Sequence, residues 1–148
     1  MSEVSLSPKQ RYLADLERDG FVADASQAAA VDLLEDLYER LVVQDRDEQR
    51  STKRLRAKLP IKILRARSRE PEQGLYFWGG VGRGKTYLVD TFFEALPIQR
   101  KLRVHFHRFM QRVHDDLTSL AGEKNPLEQV AAKISKEARV ICFDEFFV

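Results

Sequence analysis

The chain has 148 residues, 43% hydrophobic and 32% charged, with a net charge of +2 at pH 7. That length and balance suit one soluble domain with its own core and exclude a disordered chain. No apolar run approaches the roughly 18 residues that a membrane-spanning helix needs.

The spacing predicts a first helix over residues 7–19, with Ser7 as its cap, Pro8 at the first helical position and Gly20 after its end. A second helix is predicted from about Asp24. Asp24 and Gln27 have the spacing of a capping box, and Val31, Leu34, Tyr38 and Leu41 form one apolar stripe. A basic run follows, with ten Lys or Arg between Arg46 and Arg69 against Asp47 and Glu48. It is expected to hold a short helix of its own from about Glu48 to Leu59, ended by Pro60. No aromatic side chain lies in the run to stack on bases, so it reads as a solvated helix face in preference to a nucleic-acid surface. Residues 1–72 together make a helical lead-in.

From residue 73 the pattern alternates. Leu75 to Gly79 is predicted as a buried strand running into glycines, and Lys85 to Leu96 as a helix stopped by Pro97. Arg103 to Arg108 reads as a strand. A helix through Phe109, Val113, Leu117 and Leu120 follows, closed by Gly122. Another starts at Asn125-Pro126, and Arg139 to Phe143 is a last apolar strand. Strands alternating with helices predict an α/β fold with a parallel sheet over residues 73–148.

Two stretches carry chemistry. Gly79-Gly80-Val81-Gly82-Arg83-Gly84-Lys85-Thr86 matches the phosphate-loop pattern G-x-x-x-x-G-K-[ST] in full, after an apolar run and before a helix. Its glycines let main-chain N–H groups approach phosphate oxygens, and the helix that follows adds the positive end of its dipole. Lys85 supplies a point charge for the β- and γ-phosphates, and Thr86 offers a hard oxygen to Mg²⁺. Arg83 reads as solvated or as reaching a phosphate. The second stretch, Arg139 to Glu145, reads RVICFDE. With a phosphate loop upstream, Asp144 is expected to hold Mg²⁺ through a water, and Glu145 to orient and deprotonate the attacking water. A Glu directly after the Asp, with no Asn-Lys-x-Asp guanine motif in the chain, favours ATP over GTP.

The remaining candidates have plainer readings. His105, His107 and His114 lack clean ligand spacing to a Cys, Asp or Glu, so they read as core or interface histidines in preference to a zinc site. His105 and His107 are placed on one face of the strand predicted there. Cys142 reads as a small buried hydrophobe, and Phe77 and Trp78 as core. Phe146 and Phe147 are expected to pack in a longer protein and otherwise to promote association.

The stretches GLYFWGGVGRGKTYLVD, VHFHRFMQRVHDDL and VICFDEFFV resemble the ZapE family of AAA+ ATPases, as do Tyr12, Phe21, Asp24, Gln27 and Ala30-Val31 in the lead-in. The resemblance implies a P-loop NTPase of AAA+ type that binds ATP and Mg²⁺. It further implies a cytoplasmic ATPase of the division septum that engages FtsZ and weakens its polymers, and it suggests a ring of copies. It leaves two roles open for Gln27, as partner in the capping box or, with Phe21, as a contact to the base. Family members continue well past this point, whereas this sequence ends three residues after Glu145. The expectation is therefore a fragment lacking the sensor strand, arginine finger and lid, which binds nucleotide weakly and hydrolyses it poorly. The alternatives are a helicase loader that binds single-stranded DNA through the basic run, and a module that only binds a partner.

Overall fold

Ser7 and Pro8 start helix α1 (Pro8–Leu16) by two local devices. The Ser7 hydroxyl accepts the Gln10 N–H at 3.3 Å while the Gln10 side chain accepts the Ser7 N–H at 2.9 Å, a closed capping box. Pro8 brings a preset φ and no N–H to leave unbonded. The computed structural model describes residues 5–18, 20–56, 71–78 and 84–145, with the main chain alone over 54–56. Two compact units divide the chain, Met1–Pro97 and Ile98–Val148.

In the first unit Gly20, at φ +89°, reverses the chain after α1. Asp24 then opens helix α2 (Ala25–Arg56). Its carboxylate accepts the Ser26 N–H at 2.7 Å and its carbonyl accepts the Ala28 N–H at 2.9 Å. Val31, Leu34, Leu37, Leu41 and Val42 are buried along one stripe, and Val43 is already exposed. The separate helix expected from Glu48 does not exist, because α2 runs on unbroken to Arg56. No Gly or Pro interrupts it, and local bonds from Gln49 to Asp45 and from Thr52 to the Glu48 carbonyl, both 2.7 Å, support the extension. Arg46, Arg50 and Lys53 stand exposed on it, while residues 57–69 of the basic run lie outside the described residues.

Helix α3 (Lys85–Ala95) buries Leu88, Thr91, Phe92 and Ala95, and α1, α2 and α3 pack pairwise. Surface pairs such as Lys9–Asp32 at 2.8 Å and Arg11–Glu94 at 3.4 Å decorate this core and add little to its stability. The strand predicted at Leu75 to Gly79 is absent over its described part, since residues 71–78 join no ladder. Pairing in a covered sheet is what would have hidden the side chains of this segment. Without it Trp78 is 82% exposed and Tyr76 is exposed, so the core assignment of Trp78 is wrong, while Phe77 is half-buried.

The second unit holds a two-stranded parallel sheet, β1 (Lys101–His105) beside β2 (Val140–Asp144), in register from Lys101 opposite Val140 to His105 opposite Asp144. The parallel connection needs a long crossover, here supplied by α4 (Phe106–Ser119) and α5 (Pro126–Glu137). Strand β1 stops three residues short of the predicted Arg108. Phe106, Phe109, Met110, Val113 and Leu117 recur at helical spacing, so the chain turns helical at Phe106. His107 therefore belongs to a helix and not to the strand of His105, although the two rings still stack at 5.9 Å. Asn125 takes the left-handed conformation, φ 54° and ψ 56°, and launches α5 at Pro126.

Side chains alternate between the two faces of this small sheet. On one face the Phe143 ring meets Phe106 at 5.6 Å and Phe109 at 4.9 Å, both edge-on. Arg103, His105, Cys142 and Asp144 share the other face through the register. Val113, Val130, Ala138 and Cys142 are buried.

Candidate functional site

The site predicted from sequence falls into two pieces, one in each unit. In the first unit the described part of the phosphate loop is Gly84, Lys85 and Thr86, and Gly79, Gly80, Val81, Gly82 and Arg83 lie outside the described residues. Gly84 caps α3 at φ +116°, ψ −15°, a conformation that side chains disfavour. Its carbonyl accepts the Leu88 N–H at 2.9 Å, which places the helix start at Lys85. The first turn of such a helix points N–H groups that the helix itself does not use, together with the positive dipole end, toward the loop. Lys85 is half-buried there and Thr86 is exposed.

The lead-in presses directly on this turn. A Cβ at position 84 would lie 2.2 Å from the amide nitrogen of Gln27, so any side chain there would have to displace that group. Gln27 thus sits against the last glycine of the loop, while Asp24 caps α2 through Ser26. One residue past Thr86, the Tyr87 hydroxyl donates a hydrogen bond to the Asp15 carboxylate of α1. Phe21 lies between two rings, 6.2 Å from Tyr12 and 5.3 Å from Tyr87. The helical lead-in is therefore wedded to the first turn of α3 and is not a separate arm.

Burial, and then the bond to Asp15, push the Tyr87 phenol up from 10.0 to about 12. A raised phenol contributes stability that is whole below pH 10 and is lost as pH rises through the folded value near 12. Tyr87→Phe is expected to destabilise the chain by about 1.5–3 kcal/mol at pH 7, the scale of a hydrogen bond to a charged group. The gap to the wild type should close between pH 10 and 12 in urea titrations. A gap that stays constant across that window would show that the bond is not what stabilises.

In the second unit Asp144 ends β2 and Glu145 follows at φ 53°. Sequence reasoning passed over Arg103. From β1 its Nε lies 2.9 Å from Asp144 Oδ2 and its Nη2 lies 2.9 Å from Oδ1, a two-pronged fork with both side chains half-buried. These hydrogen bonds hold the Asp144 carboxyl below its usual range, while burial pushes the other way. In the sequence Arg103 reads only as a polar position alternating with Leu102 and Val104, and the register that sets it opposite Cys142, two positions before Asp144, comes from the structure. Glu145 is more exposed and lies 3.9 Å from His105 Nδ1.

The hydroxyl of Thr86 and the carboxylate of Asp144 are hard oxygen donors of the kind Mg²⁺ accepts. Each is a donor of the right kind within its own unit, and both Asp144 oxygens are already engaged by Arg103. Among the described residues no group of three or more His, Cys, Asp or Glu gathers to hold a metal by itself, and no helix is long and apolar enough to cross a membrane.

A family model described as AFG1-like ATPase matches residues 6–148. The cell division protein ZapE of Escherichia coli K12 is 45% identical over 147 residues, covering 97% of this chain and 39% of that protein. Lactation elevated protein 1 homolog B of Danio rerio is 42% identical over 89 residues, 53% of this chain and 18% of its own length. An uncharacterised protein of Schizosaccharomyces pombe is 38% identical over 106 residues, 60% of this chain and 23% of its own length. The chain thus spans well under half the length of these curated relatives. No solved structure matches it. A helix that begins on a left-handed glycine followed by Lys-Thr, and a match that takes in lead-in, loop and acidic pair together, lead to one assignment: the chain belongs to the AFG1-like ATPase family.

Proposed function

We propose that this chain carries the nucleotide-gripping part of a Mg²⁺-dependent ATPase of cell division, one that acts on FtsZ filaments at the septum. The observation that carries the nucleotide reading is the start of α3, where Gly84 in the left-handed region sets Lys85 and Thr86 at a helix N-terminus. The family assignment supports ATP as the nucleotide, and the 45% identity to ZapE supports the division role.

In this reading the main-chain N–H groups of residues 79–86 surround the phosphates. The Lys85 ammonium neutralises the β- and γ-phosphate charge. Thr86, and Asp144 through a water, would hold Mg²⁺, which would offset negative charge on the phosphates. Glu145, the more exposed acid, takes a proton from the attacking water. Gln27 keeps the last turn of the loop tight against the lead-in.

The test is a calorimetric titration of the chain with Mg-ATP and, separately, with Mg-GTP. Heat with ATP, at an affinity that Lys85→Ala strongly lowers, supports the reading, and no heat with ATP overturns it. Co-sedimentation with FtsZ polymers that appears only when ATP is present supports the division role, and its absence overturns that part.

A further inference from the structure

Within that reading, the carboxylate assigned to magnesium already has a cation on it. The fork from Arg103 uses both Asp144 oxygens, at 2.9 Å each. Only 19% of the Arg103 side chain and 24% of the Asp144 side chain are exposed, so water screens the pair incompletely. The guanidinium reaches across from the neighbouring strand, and the register of β1 on β2 sets where it stands. A metal that approaches this carboxylate meets two oxygens that the guanidinium already occupies. Two positive groups, one on the protein and one in solution, thus contend for one negative group.

We propose that Arg103 is a positioning residue that serves as the counter-ion of Asp144 before metal arrives, and that it sets the magnesium concentration at which nucleotide is gripped. The pair keeps a half-buried acid from standing uncompensated, which would destabilise the end of β2. It also fixes the carboxylate in one orientation at the strand terminus. Magnesium must then displace or share the guanidinium contact, which raises the concentration needed for the metal to take hold.

The experiment titrates the 148-residue chain with ATP at a series of MgCl₂ concentrations and in EDTA, for the wild type, Arg103→Gln and Arg103→Lys. Glutamine keeps an N–H donor and removes the charge. The magnesium midpoint of ATP binding is expected to fall about three- to tenfold in Arg103→Gln, the range for loss of a half-buried charge-assisted fork. Affinity in EDTA should not change. Arg103→Lys keeps the charge without the fork, and its midpoint should fall roughly twofold. A midpoint that stays or rises overturns the proposal. Equal weakening with and without magnesium also overturns it, because that is the mark of a merely structural residue. If circular dichroism shows Arg103→Gln unfolded, Arg103→Lys decides by the same criterion. A wild type that binds no Mg-ATP sinks the ATPase reading and this inference together. A wild type that binds it, with Lys85→Ala inert and the Arg103 midpoints unmoved, sinks the inference alone.

Discussion

Lys85→Ala is expected to weaken binding of Mg-ATP by roughly 30- to 150-fold, about 2–3 kcal/mol, the range for one charge-assisted contact removed from a phosphate. Lys85 is the first residue of α3, and its neighbour Gly84 already fixes the helix start through the bond from Leu88. Alanine is a strong helix former, so the helix should survive the change and circular dichroism should match the wild type. The loss is then attributable to the ammonium and not to unfolding. Calorimetry on the two proteins at one magnesium concentration checks it. An affinity within threefold of the wild type would mean that the loop does not hold phosphate.

The largest expected effect on stability comes from Phe92→Ala, a loss of about 3–5 kcal/mol. Phe92 is 3% exposed on the face of α3 that also buries Leu88 and Ala95, where α1 and α2 pack. Removing the ring takes out its transfer energy and leaves a cavity that three helices can close only in part. Because α3 also carries Lys85, the variant should bind Mg-ATP more weakly at temperatures where the wild type remains folded. Urea denaturation followed by circular dichroism measures the change. A loss under 1 kcal/mol would show that the ring is not packed as this core requires.

Much of the fold was legible where a residue has one conformational use. Ser7-Pro8, Asn125-Pro126 and the glycine before Lys85 each mark a helix start, and the structure begins helices at Pro8, Pro126 and Lys85. The apolar run before Asp144 became a strand with a parallel partner, as the alternation of strands and helices predicted. Reading failed where periodicity is ambiguous or absent. Residues 43–56 lose the apolar stripe, yet nothing in them breaks a helix, so α2 continued on local hydrogen bonds. Residues Val104 to Phe109 fit both a strand and a helix, and the helical spacing through Val113 prevailed from Phe106. Trp78 looked buried because it is apolar, but burial depends on a neighbouring strand that its own segment does not reveal. In the site, spacing singled out the motif residues, of which the described ones are Gly84, Lys85, Thr86, Asp144 and Glu145. Arg103 was not among them, because its meaning comes from the register of β1 on β2, which joins residues 41 apart in the chain.

The sequence holds a single sulfhydryl, Cys142, and it lies in the middle of β2, 9% exposed. Burial pushes its thiol up to about 11, so at neutral pH it is both hidden and in the protonated, unreactive form. Alkylating reagents can reach it only when β2 comes away from its surroundings. The rate at which a maleimide or iodoacetamide labels the native chain therefore counts spontaneous openings of the strand that ends in Asp144, and it does so with no engineered probe.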